Sequence, residues 1–420
     1  MIRKQTLENG LTLITESMPQ VRSVAIGVWL KRGSRHEPAH LNGASHFIEH
    51  LVFKGTETRS AREIALAMDT VGGQMDAFTS KEYTCFYARV LDEHLPTAVD
   101  LLSDIVLRPK FDPDEMGREK KVIEEEIRMV EDAPEELVYD LFSSRFYPGN
   151  PLGRPIQGTL KTVRSFTRRS LRGFFRGAYL PQNLLIVAAG HLRHDRLAET
   201  IRAAFGSLPR GPRRKAGPSE PVPRPGVALR PKRELEQLHV VLGLPGFPEN
   251  FRERYELFVL NALLGGTMSS RLFQKIREER GLAYSVYSAV NAFRDAGLFL
   301  VYAAMSPGKG NEVIGLILEE LRGLREKGPD AEETSVAKEH LKGSLTLSLE
   351  STVSRMSNLA RQEIYYGRQF SPAEMMRGIE AVTPEKVHRL ARRLFRTGRV
   401  GLAAVGRTSR LRTSGGALSL

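Results

Sequence analysis

The feature that most limits what this chain of 420 residues can fold into is an internal repeat. Residues 21–31 are β-branched and apolar, and Val24 to Trp29 within them reads as a buried strand; His239 to Leu244 reads as its echo. Asn183 to Gly190 and Arg399 to Gly406 make a second such pair. The offsets cluster near 216, so each half is expected to be one copy of the same α+β unit. Residues 208–233 hold seven Pro among Gly and Arg, too many for a helix or a central strand. They read as an extended inter-domain linker. The expected organisation is a first domain over 1–207, the linker over 208–233, a second domain over 234–412 and a tail over 413–420.

The first half carries the chemistry. In the stretch Gly43 to Thr56, the residues His46, Glu49 and His50 fall on one helix face. Each residue of a helix turns about 100°, so His50 lies roughly 40° from His46 and Glu49 about 60° to the other side. Two imidazoles can then grip one cation while a carboxylate lies beside it. The order His-x-x-Glu-His is the inverzincin arrangement of a zinc site. At the repeat offset these three positions fall on Ala262, Gly265 and Gly266, so the second copy has no such ligands.

A third ligand is expected from the helical run Glu119 to Met129. Glu119 and Glu126 are seven apart and are expected to share a core-facing stripe with Val122 and Ile123. A carboxylate there is costly to bury unless a cation meets it. Glu124 and Glu125 point elsewhere and are expected in solvent. The remaining elements follow from pattern. Residues 60–71 read as a helix with a Ser60/Glu63 capping box ended by Gly72-Gly73. Residues 74–80 and 83–91 read as a hairpin, and 95–107 and 159–177 as helices. The loop from Gly33 to Asn42 is expected to face His36 and His40 to solvent.

These residues resemble the M16 (pitrilysin/insulinase) zinc peptidases, most closely the two-domain class of the mitochondrial processing peptidase β subunit and its bacterial relatives. The likeness rests on His46-x-x-Glu49-His50, on Glu126 standing 76 residues after His50, and on the string Glu125 to Met129. It extends through Gly72-Gly73, Thr79 to Thr84 and Gly281 to Ser285, nearly the whole length. It implies two tandem homologous α/β-sandwich domains, each a mixed sheet with helices packed on one face, one live and one without metal. It implies Zn²⁺ on His46, His50 and Glu126, Glu49 as the general base, and Glu119 orienting a ligand from behind. Arg277 and Tyr284 match the family's Arg/Tyr pair, which serves the zinc site from the second domain; as plain residues they read as a surface Arg and a core Tyr. A peptide substrate is expected to add as a strand along residues 75–80, against Asp76, Ala77 and Phe78. The family has Asn-Ala where this chain has Asp76-Ala77, a departure expected to favour basic peptides. Members of this length resemble half of a closed chamber, implying a homodimer or pairing with a related M16 subunit.

Composition narrows the alternatives. The net charge of +13 invites a nucleic-acid reading, yet residues 210–233 carry eight Lys/Arg against one Glu, and 392–412 seven Arg and no acid. The excess thus sits outside any aromatic-interleaved face, and no nucleic-acid site is expected. No run approaches a membrane span. Cys85 is the only cysteine and is expected to pack as a small apolar residue, which suits a reducing cytoplasm; no signal or transit segment is read at the start. A non-catalytic structural homologue remains the main alternative, and the retained His46, Glu49, His50, Glu119 and Glu126 argue against it.

Overall fold

In the computed structural model, which describes all residues except 213–218, 397, 399, 414–417 and 419, alternating apolar side chains build two sheets. Parts of the expected linker and tail, and Arg399 at the head of the last expected strand, lie outside the described residues. The first sheet holds β1 (Ile2–Thr6), β2 (Thr12–Ser17), β3 (Ser23–Leu30), β4 (Gln74–Thr79), β5 (Thr84–Leu91) and β6 (Leu184–Gly190), in the order β1-β2-β6-β3-β5-β4. The second holds β7 (Val227–Pro231), β8 (Leu238–Pro245), β9 (Ala283–Ala292), β10 (Gly297–Met305) and β11 (Gly401–Gly406), in the order β7-β11-β8-β10-β9. Without β1 the two orders are one topology. In each, one parallel pair (β2/β6 and β7/β11) leads into three antiparallel pairs. The repeat read from strand spacing is therefore a repeat of fold.

Four helices frame the first sheet and its site, α1 (Ala44–Val52), α2 (Ala61–Thr70), α3 (Leu95–Leu107) and α4 (Pro113–Asp132), and a fifth, α5 (Pro134–Phe146), follows them in the chain. Because side chains alternate along a strand, β3 splits its apolar residues between two layers. Val24, Ile26 and Val28 pack with Phe47 of α1 and Leu102 and Ile105 of α3. Ala25 and Trp29 face the other way, where the single helix Thr352–Tyr366 covers them with Met356, Leu359 and Ala360. That covering helix comes from the far half of the sequence. The second sheet receives the reciprocal gift: Leu137, Val138 and Phe142 of α5 pack against Val241, Leu300 and Tyr302. The compact units are accordingly discontinuous, one being Met1–Arg128, Arg154–Pro218 and Ser348–Gln369, the other Met129–Gly153, Ser219–Leu347 and Phe370–Leu420.

The same strand position makes room for both covering helices. A Cβ on Gly27 of β3 would come within 3.1 Å of Met356 Sδ, and one on Gly243 of β8 within 2.2 Å of Phe142 Cζ. Two expectations change in detail. Residues 159–177 form two helices, Leu160–Ser165 and Arg168–Ala178, because the Thr167 side chain accepts from Ser170 N and caps a fresh start. The end of the Pro-rich segment is β7, an edge strand whose one neighbour is β11; its only proline, Pro231, closes it, as edge pairing tolerates. Among the described residues no helix is long and apolar enough to cross a membrane.

A buried ion pair pins the covering helix of the first sheet. Arg355 Nε donates to Glu16 Oε2 at 2.8 Å, and its Nη2 to Glu16 Oε1, both side chains being nearly sealed from solvent. Removing one partner strands a buried charge, whereas replacing both by apolar groups is close to neutral. Arg355→Ala is expected to lower stability by about 3–5 kcal/mol, and Glu16→Leu with Arg355→Met by far less. Urea unfolding followed at Trp29, the one tryptophan and a member of this core layer, measures both.

Candidate metal centre

The site starts with a loop that is polar in composition yet buried. Ser34 N donates to Ser80 O at 3.1 Å and Arg35 N to Lys81 O at 2.8 Å, fastening the loop to the β4–β5 turn. Arg35 Nη1 adds a 2.7 Å bond to Glu82 Oε1, with the two side chains only 1% and 6% exposed. His40 is exposed as expected; His36 is half-buried, its Nδ1 accepting from Gly33 N at 3.1 Å. The loop then delivers Glu37, which is buried and accepts from the backbone of Gly43 and of Ser45, each at 2.7 Å. Gly43 has φ +96° and its Cβ would meet Gln157 O at 2.6 Å, so only glycine enters α1 here. Glycine has no capping side chain, and Glu37 supplies the acceptor from outside the helix.

On α1, His46 and His50 present their rings side by side, centroids 4.8 Å apart. Glu126 of α4 meets both: its Oε2 lies 3.7 Å from His46 Nε2 and its Oε1 3.5 Å from His50 Nε2. One donor atom from each of these three half-buried residues lies within 4.8 Å of the other two, and among the described residues they form the one such group of three. Donors around a tetrahedral zinc at 2.0–2.1 Å stand roughly 3.3–3.4 Å apart, so this donor set suits a zinc ion once its atoms draw inward. Behind His50, Glu119 Oε2 lies 3.0 Å from Nδ1, and Lys54 Nζ lies 2.9 Å from Glu119 Oε1. Glu119 is only 3% exposed. It fixes the tautomer that turns the His50 Nε2 lone pair toward Glu126.

The charges also fit a dication. Glu49, Glu119 and Glu126 converge against one cation, Lys54, leaving two negative charges when both imidazoles are neutral. Burial, with a smaller push from His50, holds His46 down to about 4, so it is a neutral ligand at physiological pH. For His50 burial pulls downward, but the Glu119 hydrogen bond and the charges of Glu126, Glu119 and Glu49 win and raise it. Burial raises Glu49 despite the hydrogen bond it accepts from Thr79 Oγ1 at 2.5 Å. A carboxyl raised by burial and close to a cation site is suited to exchange protons with a bound water.

The structure thus brings His46, His50, Glu126, Glu119 and Glu49 together, all in the first unit. Asp76, Ala77 and Phe78 lie on β4, the terminal strand of the same sheet, with Asp76 and Phe78 exposed. Tyr87 OH reaches Asp76 Oδ2 at 3.5 Å. Arg277 and Tyr284 belong to the second unit, the guanidinium 5.3 Å over the Tyr284 ring. Tyr284 is 76% exposed, so its reading as a core residue fails: the Arg277 guanidinium, not an apolar layer, lies over its ring. Val122 is 43% exposed, and the inner stripe of α4 runs through Met116, Glu119 and Ile123 instead. Glu124 points away from the site as expected, half-buried and held at the surface by Arg164 at 3.0 and 2.8 Å; Glu125 is exposed as expected. Three residues escaped sequence reasoning: Glu37, Lys54 and Thr79. Only Thr79 had a local signal, since alternation along β4 turns it to the same side as Ala77 and Met75, facing α1.

In the second copy the corresponding helix loosens into a π-helical turn at Ala262–Gly266. A Cβ on Gly265 would meet Ser288 N of β9 at 2.5 Å, so no glutamate can stand where Glu49 stands in the first. Residues 12–160 match the family model described as Insulinase (Peptidase family M16), and residues 165–341 that described as Peptidase M16 inactive domain. The chain is 45% identical to the uncharacterized zinc protease YmxG of Bacillus subtilis, over 94% of this chain and 96% of the relative. It is 43% identical to an uncharacterized zinc protease of Streptomyces coelicolor, over 93% and 86% respectively. A crystal structure described as a peptidase M16 inactive domain from Pseudomonas fluorescens superposes with TM-score 0.91 at 19% identity, covering 99% of this chain and 100% of that one. At that identity the likeness carries the fold alone.

Thr79→Val keeps shape but removes the donor to a half-buried carboxylate. It is expected to lower stability by about 1–2 kcal/mol in urea unfolding, with Thr79→Ser close to the parent.

Proposed function

The chain belongs to peptidase family M16, and we propose that it is a zinc-dependent endopeptidase acting on short or unfolded peptides. The observation that carries this reading is the convergence of two imidazole nitrogens and the Glu126 carboxylate, with Glu49 beside them on the same helix. The names of its relatives as zinc proteases support it. A zinc ion held by His46, His50 and Glu126 supplies Lewis acidity toward the scissile carbonyl and brings the pKa of a water toward neutrality.

The chain's own groups do the rest. Glu49 takes a proton from the attacking water as oxygen bonds to the carbonyl carbon, and returns it to the amine nitrogen as the C–N bond breaks. Thr79 holds one Glu49 oxygen, leaving the other for this exchange. Glu119, kept ionised against burial by its hydrogen bonds to His50 and Lys54, prevents the His50 ring from turning. An extended peptide adds to the open edge of β4, which would read main chain before side chain. Asp76, exposed on that strand, favours a basic residue in the peptide. By the family likeness Tyr284, over whose ring the Arg277 guanidinium lies, is the candidate hydroxyl donor of the reaction. A second copy of the chain, or a related M16 subunit, completes the working particle, and the buried single cysteine suits a cytoplasmic setting.

Glu49→Gln is expected to lower kcat by about 10²–10⁴-fold on a quenched peptide while metal analysis finds zinc as in the parent. Undiminished cleavage by that variant removes the proposed base. Asp76→Asn is expected to flatten a preference for Lys- and Arg-containing peptides in a library digest; a parent with no such preference excludes the Asp76 role.

A further inference from the structure

The two histidines of the proposed centre are held in different ways. His50 has its second ring nitrogen against Glu119, itself backed by Lys54. His46 Nδ1 is buried and has no hydrogen-bond partner among the described residues. Ligating histidines ordinarily have the far nitrogen bound, which sets the ring's direction. For His46 the direction must come from the backbone that carries it.

That backbone is the first turn of α1, and one buried group grips it. Glu37 Oε2 accepts from Gly43 N and Oε1 from Ser45 N, the residue directly before His46. Asn42 Nδ2, 3.2 Å from Oε2, holds the carboxylate in turn. Glu37 is 3% exposed, and its own position is fixed by the loop fastened to the β4–β5 turn. A nine-residue helix is too short to hold its register alone, so its first turn depends on such a clamp.

We infer that Glu37 is the positioning residue for His46: its carboxylate does for the first ligand, through the backbone, what Glu119 does for the second through the ring. The inference rests on the zinc-peptidase reading and adds to it a residue that touches neither metal nor substrate. The same clamp ties α1 to the hairpin that bears β4, so the metal helix and the peptide-binding edge share one anchor.

The test uses the full chain and its Glu37→Gln, Asn42→Ala and Arg355→Ala variants. Zinc affinity is measured by competition with a chelating dye, ligand geometry by the visible spectrum of the Co²⁺-loaded protein, and stability by urea unfolding. Glu37→Gln is expected to weaken zinc binding about 10–100-fold and to alter the Co²⁺ bands. Asn42→Ala, the milder change should Glu37→Gln fail to fold, is expected to weaken it about threefold or more in the same direction. Arg355→Ala loses at least as much stability with zinc affinity unchanged. Zinc affinity within twofold of the parent in both Glu37→Gln and Asn42→Ala, with only the unfolding midpoint lowered, overturns the inference and leaves the peptidase reading standing. A parent chain that binds no zinc overturns that reading, and the inference with it.

Discussion

Carboxylates crowded into half-buried space are the interaction on which this chain's chemistry depends. Glu49, Glu119 and Glu126 lie around one pair of imidazoles, opposed by Lys54. In water three such groups repel weakly; under a helix and a sheet they repel strongly. The fold ties down two of them, Glu49 to Thr79 and Glu119 to His50 and Lys54, while Glu126 faces the two Nε2 atoms at 3.7 and 3.5 Å. With both imidazoles neutral the remaining imbalance is negative by two charges, which makes a divalent cation the natural counterpart of the arrangement.

Duplication explains how the scaffold can carry such a cost. Both copies use one strand order and place a glycine at the same point of the same strand, Gly27 and Gly243. In the second copy the helix equivalent to α1 has closed onto β9 at Gly265. Freed of ligands, that copy can pack tightly where the first must leave its carboxylates facing open space.

The strands, the hairpin and the His-Glu-His face were legible because each is a local period: two for strands, near 3.6 for α1. Glu126 was legible because an acid expected beside an inner stripe needs a reason, although Val122 was wrongly assigned to that stripe: about 100° from Ile123, it sits beyond the stripe's margin and is 43% exposed. Glu37 was not legible. It is six residues before Gly43 in an irregular loop, and its role arises only when the chain turns back on itself. Lys54 and the Arg164–Glu124 pair are long-range contacts of the same kind. The exchange of covering helices left no mark either, since nothing in the sequence of α5 or of Thr352–Tyr366 says which of two like sheets each will cover.

That exchange constrains how such a chain can be divided. A cut at the repeat boundary would part each sheet from the helix that keeps one of its faces dry. The half ending near residue 207 would bare Trp29, Leu185 and Val187, and the half beginning near 234 would bare Val241, Leu300 and Tyr302. Neither copy is therefore a free-standing module that recombination could lift into another gene. Each copy lends the other the helix that closes its sheet, so the two can be kept or lost only together.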